Sequence, residues 1–410
     1  MKMKPIYIIL IVLVFSCTKN FIPPSSTCVD NIDFLQSSSV HPKGDTLQHI
    51  LDEYISLGVP GATMLLADQN GIWIGSSGFA DIKRGIVMQP CHILKPGSVA
   101  KMIIGNLIWQ LQEDGLLNIN DFIGDYIPEV AAAITNGDRM TIKMLLNHTS
   151  GIYQIGRDLN FNLAVVNDFT RPWTADEIIQ YFTGKPATND PGEELNYSNT
   201  NTLISELIIE AVTSKSVDVV LDEMVFSPLG MQNSVYYDYS TEFPIDHLAQ
   251  GYLDFSNDGK DIQNVSDVNP GSGNGYTGLY TNAEDMYLFM KAVFVDHSLI
   301  SSTSLDTILN SFVMSSGGSY ASSSGGIHQQ DIPFFGDSLH AYGHSGGDIG
   351  YTANVIYIQE LQTIVVLNYN YGTQFSTPIG SELYNMKRAL YGAVVLSLIH
   401  ISEPTRHTSI

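Results

Sequence analysis

The segments that favour β-strands lie near the two ends of this 410-residue chain, and mainly helical segments lie between them. Near the start, residues 62–67 and 72–74 are apolar and are joined through an Asn-Gly pair, which favours a tight hairpin. Near the end, residues 353–358 and 363–370 alternate like the strands of a second hairpin. We therefore predict an α+β fold, with one antiparallel sheet built from both ends and a mainly helical lobe inserted between them.

Two terminal helices are expected to flank this sheet. Asp45 precedes apolar residues at helical spacing and is the predicted N-cap of the first helix, with Gly58 as its left-handed stop. The second helix is predicted to begin at Thr377-Pro378, where the hydroxyl can cap and proline suits the first turn. It is expected to end near Tyr391.

The folded domain is predicted over residues 42–395, with the helical lobe over about residues 98–300. Residues 250–340 are poor in charge and rich in Gly and Ser. They yield only one predicted element, a helix over residues 282–293. The sequence therefore leaves part of the domain unassigned.

A serine and a lysine lie three positions apart at the start of the predicted helical lobe. A helix over Ser98 to Lys101 places both side chains on one face, with the serine in the first turn, where the helix dipole favours developing negative charge. A serine hydroxyl is a poor nucleophile at neutral pH and needs a nearby base. Apolar neighbours would keep the lysine dry, lower its pKa and make it usable as that base. Alone, the spacing is a weak signal, because a capping serine and a surface lysine would also produce it.

Two later segments supply further polar groups. The tripeptide YSN at residues 197–199 offers a phenol and an amide, and HSG at residues 344–346 precedes the second hairpin. In this order the segments resemble the SxxK, YxN and K/HxG motifs of serine beta-lactamases, penicillin-binding DD-peptidases and related esterases. LLNHTSG at 145–151 and GHSGGDIGY at 343–351 are similar to the same family. The resemblance covers most of residues 45–391.

This resemblance implies a beta-lactamase/transpeptidase-like fold with a cleft between two lobes, where a covalent acyl-enzyme forms and water then releases it. We expect no cofactor, and no metal, because the histidines are scattered and no HExxH or paired Cys/His spacing appears. Each motif residue has an expected role in binding the substrate, moving the proton or stabilising the oxyanion. These residues are the catalytic Ser98, Lys101 and Tyr197, the substrate-binding Asn199, His344 and Ser345, and the backbone N–H groups of Ser98 and Gly347.

The third motif departs from that of dedicated beta-lactamases, which usually carry lysine where this chain has His344. An imidazole is only partly charged at neutral pH, so recognition of a substrate carboxylate should be weaker and pH-dependent. We therefore rank D-Ala-D-Ala carboxypeptidase or esterase activity above rapid antibiotic hydrolysis. The expected substrate is a small molecule or peptide, such as a peptidoglycan-like peptide, a beta-lactam or an ester.

Other interpretations stay open. Residues 343–347 also fit G-x-S-x-G, the nucleophile elbow of α/β-hydrolases, which would make Ser345 the nucleophile. That elbow needs a following helix, whereas strand-like residues follow here. A different class is a non-hydrolytic penicillin-binding sensor or scaffold. His148, within LLNHTSG, is expected to be structural rather than catalytic.

Residues 1–17 have the pattern of an export signal, since two lysines precede an apolar run that ends in Ser16-Cys17. The small residue before Cys17 resembles the lipobox of bacterial lipoproteins, in which the cysteine is acylated. We predict an exported lipoprotein that faces the periplasm or cell surface and contacts the membrane through its lipid only. The alternative is a plain secretory signal or an uncleaved membrane anchor.

Residues 18–41 are polar and rich in Pro and Ser, and we predict a flexible tether there. Cys28 lies in this tether, so we expect it and Cys91 to be unpaired thiols, with a disulfide in an oxidising compartment as the alternative. Residues 396–410 resemble a translated sequencing adapter and are left out of the predicted domain, with a native tail as the alternative.

The charge of the chain excludes one class of partner. Forty-two acidic residues against 19 basic ones give a formal net charge of −23, with no basic run. Such a surface repels phosphate backbones, so we expect no nucleic-acid partner. We expect a monomer.

Overall fold

A computed structural model describes residues 25–28, 38–238, 243, 247–269, 273–318, 320–334, 337–373 and 376–396. Among these residues no helix is both long and apolar enough to span a membrane. The helices are α1 (Gly44–Ser56), α2 (Ala100–Glu113), α3 (Pro128–Ala133), α4 (Ile142–Leu146), α5 (Leu159–Asn167), α6 (Ala175–Phe182), α7 (Asn199–Thr213), α8 (Val217–Leu221), α9 (Ser227–Leu229), α10 (Ala283–Phe294), α11 (Ser302–Leu309) and α12 (Pro378–Leu396). The strands are β1 (Gly61–Asp68), β2 (Gly71–Asp81), β3 (Ile86–Val87), β4 (Val235–Tyr236), β5 (Tyr252–Leu253), β6 (Gln263–Asn264), β7 (Leu279–Tyr280), β8 (Val313–Met314), β9 (Ala321–Ser322), β10 (His328–Phe334), β11 (Asp337–Asp348), β12 (Tyr351–Ile358) and β13 (Thr363–Tyr369).

The main sheet has nine antiparallel strands in the order β3-β2-β1-β13-β12-β11-β10-β9-β8. The N-terminal hairpin joins the C-terminal strands through β1 and β13, from the pair Ala62↔Tyr369 to the pair Ala67↔Ile364. Both predicted hairpins are present, and the prediction of one antiparallel sheet made from the two ends of the chain is confirmed.

Alternating residues of the central strands supply two separate cores, one on each face of the sheet. In β13, Ile364 and Val366 belong to the core shared with the helical lobe, whereas Val365 and Leu367 belong to the core beneath α1 and α12. Because successive side chains of a strand point to opposite faces, an apolar run in a central strand buries residues on both sides. The helical lobe, which begins with α2, is thereby held against one face of the sheet.

The terminal helices differ in detail from the expectation. Asp45 lies inside the first turn of α1 and is not its N-cap, because the helix begins one residue earlier, after Lys43. The Lys43 ammonium donates instead to Asp68 at 2.8 Å and to the Val394 carbonyl at 3.0 Å, which ties α1 to β1 and α12. The predicted cap at Thr377 is confirmed, since its hydroxyl accepts from the Gly380 N–H at 3.0 Å. Helix α12 runs past the predicted end to Leu396.

The expectation of unpaired thiols is wrong, because Cys28 and Cys91 form a disulfide with their Cα atoms 6.0 Å apart. Residues 25–28 lie against the folded domain rather than in a free tether. The Arg84 guanidinium donates to the Ser25 carbonyl at 3.0 Å, and the His92 imidazole lies 3.0 Å from the Ser26 carbonyl. The composition of the segment gave no sign of these contacts. Cys17 and residues 397–410 lie outside the described residues.

Candidate active site

Ser98 lies in a short 3-10 turn, Gly97–Val99, which leads directly into α2. The serine therefore precedes the α-helix, and Lys101 occupies the first turn. The Lys101 ammonium nitrogen donates to the Ser98 Oγ at 3.2 Å. The expected proximity of the two side chains is present.

The surroundings of Lys101 favour an uncharged amine. Its side chain is buried, with only 2% of the residue exposed. Burial lowers the pKa of Lys101 to about 7, although the negative charge of Asp348 acts in the opposite direction. The nitrogen also lies 5.2 Å from the centre of the Tyr197 ring and 6.0 Å from that of Tyr276. Near neutral pH this lysine can accept a proton.

Tyr197 completes the group around the serine, because its phenol lies close enough to the Ser98 side chain for the serine to lower its pKa. Burial raises the pKa of Tyr197, so the phenol keeps its proton at neutral pH. It is held just before α7, where the Ser198 hydroxyl caps the helix by accepting from the Thr200 N–H at 3.2 Å. The start of α7 thus fixes the position of the phenol.

His148 supports Tyr197 from behind. The two ring centres are 4.4 Å apart, and the His148 Nδ1 accepts from the Asn201 side-chain amide at 2.9 Å. The His148 carbonyl accepts from the Asn196 N–H at 2.9 Å. Burial lowers the pKa of His148 well below its ordinary value, so the ring is uncharged. These contacts match the structural role expected for this residue.

Strand β11 passes close to the turn that carries Ser98. A Cβ atom at Gly346 would lie 1.7 Å from the Pro96 carbonyl oxygen and 3.1 Å from the Ser98 nitrogen, and a Cβ at Gly97 would lie 2.6 Å from the Gly347 oxygen. Only glycine allows this approach. The backbones of Ser98 and Gly347 are thereby brought side by side, as an oxyanion hole made by their N–H groups requires.

His344 faces the same site, with its ring centre 6.3 Å from that of Tyr197. Burial lowers the pKa of His344 well below its ordinary value, with further contributions from His328 and Lys101. The imidazole is therefore uncharged at neutral pH, which corrects the expectation of a partly charged group.

His328, on β10, is a site residue that the sequence did not reveal. Its ring centre lies 3.9 Å from that of His344, and burial lowers the pKa of His328 to about 4. The pairing of β10 with β11, which sets His328 opposite Gly343, brings the two rings together. In the described ranges, both Nε2 atoms are buried without a hydrogen-bond partner, and no group of three or more His, Cys, Asp or Glu side chains could hold a metal ion.

Asn199 and Ser345, the other two predicted substrate-binding residues, have different surroundings. The Asn199 Oδ1 is buried and has no hydrogen-bond partner among the described residues. The Ser345 hydroxyl accepts from the Asn354 amide at 2.7 Å, and Asn354 in turn accepts from the Tyr391 hydroxyl of α12. The Ser345 side chain therefore points toward the terminal helices and away from Ser98. Because β11 continues past it and a second strand follows, Ser345 does not stand in a nucleophile elbow.

Comparison with known proteins identifies the family to which the chain belongs. The model of the family described as Beta-lactamase matches residues 45–378. The chain belongs to this family of serine hydrolases. It is 28% identical to Protein flp of Staphylococcus aureus strain MW2 over 196 residues, which cover 47% of this chain and 38% of that protein. It is 27% identical to the putative penicillin-binding protein PbpX of Bacillus subtilis over 262 residues, covering 64% of this chain and 61% of that protein.

The chain thus aligns with less than two thirds of the length of these two relatives. Solved structures share the fold over a greater length. The D-amino acid amidase of Ochrobactrum anthropi SV3, complexed with L-phenylalanine amide, has a TM-score of 0.76 at 23% identity, covering 87% of this chain and 99% of the amidase. A penicillin-binding protein from Bacillus halodurans has a TM-score of 0.68 at 22% identity, covering 84% and 98%. The predicted family and fold are confirmed.

Proposed function

We propose that this family member hydrolyses amide or ester bonds through a covalent acyl-enzyme formed on Ser98. The observation that carries the proposal is the buried Lys101 amine, 3.2 Å from the serine oxygen and with a pKa lowered to about 7. A serine hydroxyl requires such a partner to become a useful nucleophile. Both residues are supplied by one short turn and the helix that follows it.

The directions of the two pKa changes favour Lys101 as the base for acylation. Burial lowers the pKa of the lysine, which makes the neutral amine available, and raises the pKa of Tyr197, which disfavours the phenolate. As the Ser98 oxygen attacks the substrate carbonyl, its proton passes to the lysine nitrogen. The Tyr197 hydroxyl, close to Ser98, would then relay a proton to the leaving amine or alcohol.

The negative oxygen of the tetrahedral intermediate needs two donors. The backbone N–H groups of Ser98 and Gly347 are proposed for this role, because the glycines at 97 and 346 let strand β11 approach the serine turn. Asn199 would orient the substrate with its unpaired amide oxygen. Water would then attack the ester on Ser98 and return the serine.

For the substrate we rank first a D-Ala-D-Ala carboxypeptidase-like or beta-lactamase-related activity. A carboxylesterase of the same fold is the alternative. The fold shared with a D-amino acid amidase adds amides of D-amino acids to the compounds worth testing. The uncharged His344 supports slow rather than rapid hydrolysis of antibiotics, since the lysine usual at this position would be charged.

The test is a substrate panel assayed with the purified protein and two serine variants. The panel holds a D-Ala-D-Ala peptide, D-phenylalanine amide, a chromogenic cephalosporin and a short-chain nitrophenyl ester. Ser98→Ala should abolish turnover of every accepted substrate and labelling by a fluorescent penicillin or fluorophosphonate. Ser345→Ala is the matched control and should keep both. Persistent labelling of the Ser98→Ala protein at another serine would refute the assignment.

A penicillin-binding sensor that acylates without turnover is the competing function. Time courses separate the two. A sensor would release one stoichiometric burst of product and stop, whereas a hydrolase would continue to release product after the burst.

We also propose that the protein is exported and anchored to the membrane by a lipid on Cys17. The Cys28–Cys91 disulfide supports export, because such bonds persist mainly in oxidising compartments. Growth with labelled palmitate should label the wild-type protein, and Cys17→Ser should lose the label and leave the membrane fraction. Equal labelling of both proteins would contradict this proposal.

A further inference from the structure

A cavity opens beside the proposed catalytic tyrosine. It encloses roughly 250 Å³, and Tyr197 forms part of its wall. The other described lining residues are Ile152, Gln154, Arg157, Thr188, Leu195, Asn196, Ser315, Ser316, Gly317 and Tyr320. Arg157 is the charged member of this described lining. The cavity thus combines a neutral polar wall with one positive charge.

The Arg157 guanidinium is available to a ligand. Arg157 is exposed and makes no side-chain hydrogen bond or ion pair with any residue in the part of the chain that the structure describes. Its neighbour Asp158 is already paired, since it accepts from the Lys185 ammonium at 2.9 Å. A guanidinium is well suited to a carboxylate, because its planar donors match the two oxygens.

Arg157 lies near Tyr320, which borders the cavity together with the proposed catalytic Tyr197. Burial raises the pKa of Tyr320, whereas the nearby Tyr197 backbone and the charge of Arg157 act in the opposite direction. A substrate group held at Arg157 would therefore lie in the space that Tyr197 and Tyr320 border.

The third motif does not offer a comparable charge. His344 and His328 are both buried and uncharged near neutral pH, and Lys101 is engaged with Ser98. We propose that Arg157 determines substrate preference by binding a carboxylate of the substrate in the cavity beside Tyr197. This inference rests on the proposed function, because it assigns the group that selects the substrate of that site.

Kinetics with matched substrates test the proposal. N-acetyl-D-Ala-D-Ala carries a free carboxylate, and its C-terminal amide lacks it. Arg157→Gln should raise KM for the carboxylate form by about 10- to 100-fold, as expected for the loss of a hydrogen-bonded charge, while KM for the amide changes less than about twofold. Arg157→Lys should restore part of the loss. Arg139→Gln removes an exposed arginine that is paired with Asp190 and should alter neither constant. Equal changes for both substrates would overturn the proposal.

A binding measurement keeps this inference separate from the proposed function. In the Ser98→Ala background, calorimetry can compare the affinities of the two peptides with and without Arg157→Gln, even if the wild-type protein hydrolyses neither. Tighter binding of the carboxylate form that disappears with Arg157→Gln supports the role of the arginine. If both peptides bind equally, or neither binds, the proposal fails, whatever the outcome of the serine labelling experiment.

Discussion

The acid limb of the pH–rate profile should reflect the pKa of the buried Lys101. With the pKa of Lys101 lowered to about 7, half of the molecules carry the neutral amine at pH 7, whereas a lysine at its ordinary value near 10.5 would be neutral in roughly one molecule in 3,000. The value of kcat/KM should therefore rise about tenfold per pH unit below pH 7 and level off above it. Burial of one side chain thus increases the supply of base by about three decades.

The assay is ester hydrolysis from pH 5 to 9, monitored at a wavelength where the absorbance of nitrophenol does not change with pH. Lys101→Ala should lower kcat/KM by roughly two to four decades, as for loss of a general base, and remove the limb near pH 7. Lys215→Ala, which removes an exposed lysine paired with Glu223, is the control and should keep the wild-type profile. Near-normal activity of Lys101→Ala, or an unchanged limb in that variant, would refute the reasoning.

Three further outcomes are expected. Asp348→Asn removes the charge that raises the pKa of the buried lysine, so the acid limb of kcat/KM should move to lower pH; a shift to higher pH would contradict this. Gly346→Ala should reduce kcat roughly 100-fold, because the added methyl group forces β11 away from the serine turn. Gly392→Ala is the control and should leave kcat unchanged, because a methyl group there meets no atom within 4 Å. Cys91→Ser should lower the unfolding free energy by about 2–4 kcal/mol through loss of the bond to Cys28, and identical denaturant midpoints with and without the change would argue against that contribution.

The sequence predicts most of the sheet and its flanking helices, because the patterns that indicate them are formed by residues close along the chain. Hairpin turns, helix spacing and the three motifs depend on residues that are close along the chain. They are sufficient to predict one sheet from both ends and the proximity of Ser98 and Lys101, whereas the position of Tyr197 beside them was implied by the family resemblance. The order of the three motifs indicates the family, whereas the spacing of Ser98 and Lys101 alone is a weak signal.

The missed features all depend on contacts between distant segments. His328 reaches His344 only through the register of β10 on β11, in a region whose Gly- and Ser-rich composition gave no strand pattern. Cys28 pairs with a residue 63 positions away, although its own surroundings are typical of a tether. The Ser345 side chain points away from Ser98 because neighbouring residues of a strand face opposite sides of the sheet and His344 faces the site. The sequence did not predict a strand at these two residues. Burial and register, rather than residue type, decided these outcomes.

Peptide mapping of the acylated protein tests the central claim most directly. After brief exposure to a slowly hydrolysed penicillin, digestion and mass spectrometry should find the mass of one intact acyl group on the peptide that contains Ser98, and no such peptide after the Ser98→Ala change. An adduct found on the peptide that contains Ser345, or no adduct with any member of an ester, amide and beta-lactam panel, would contradict the account.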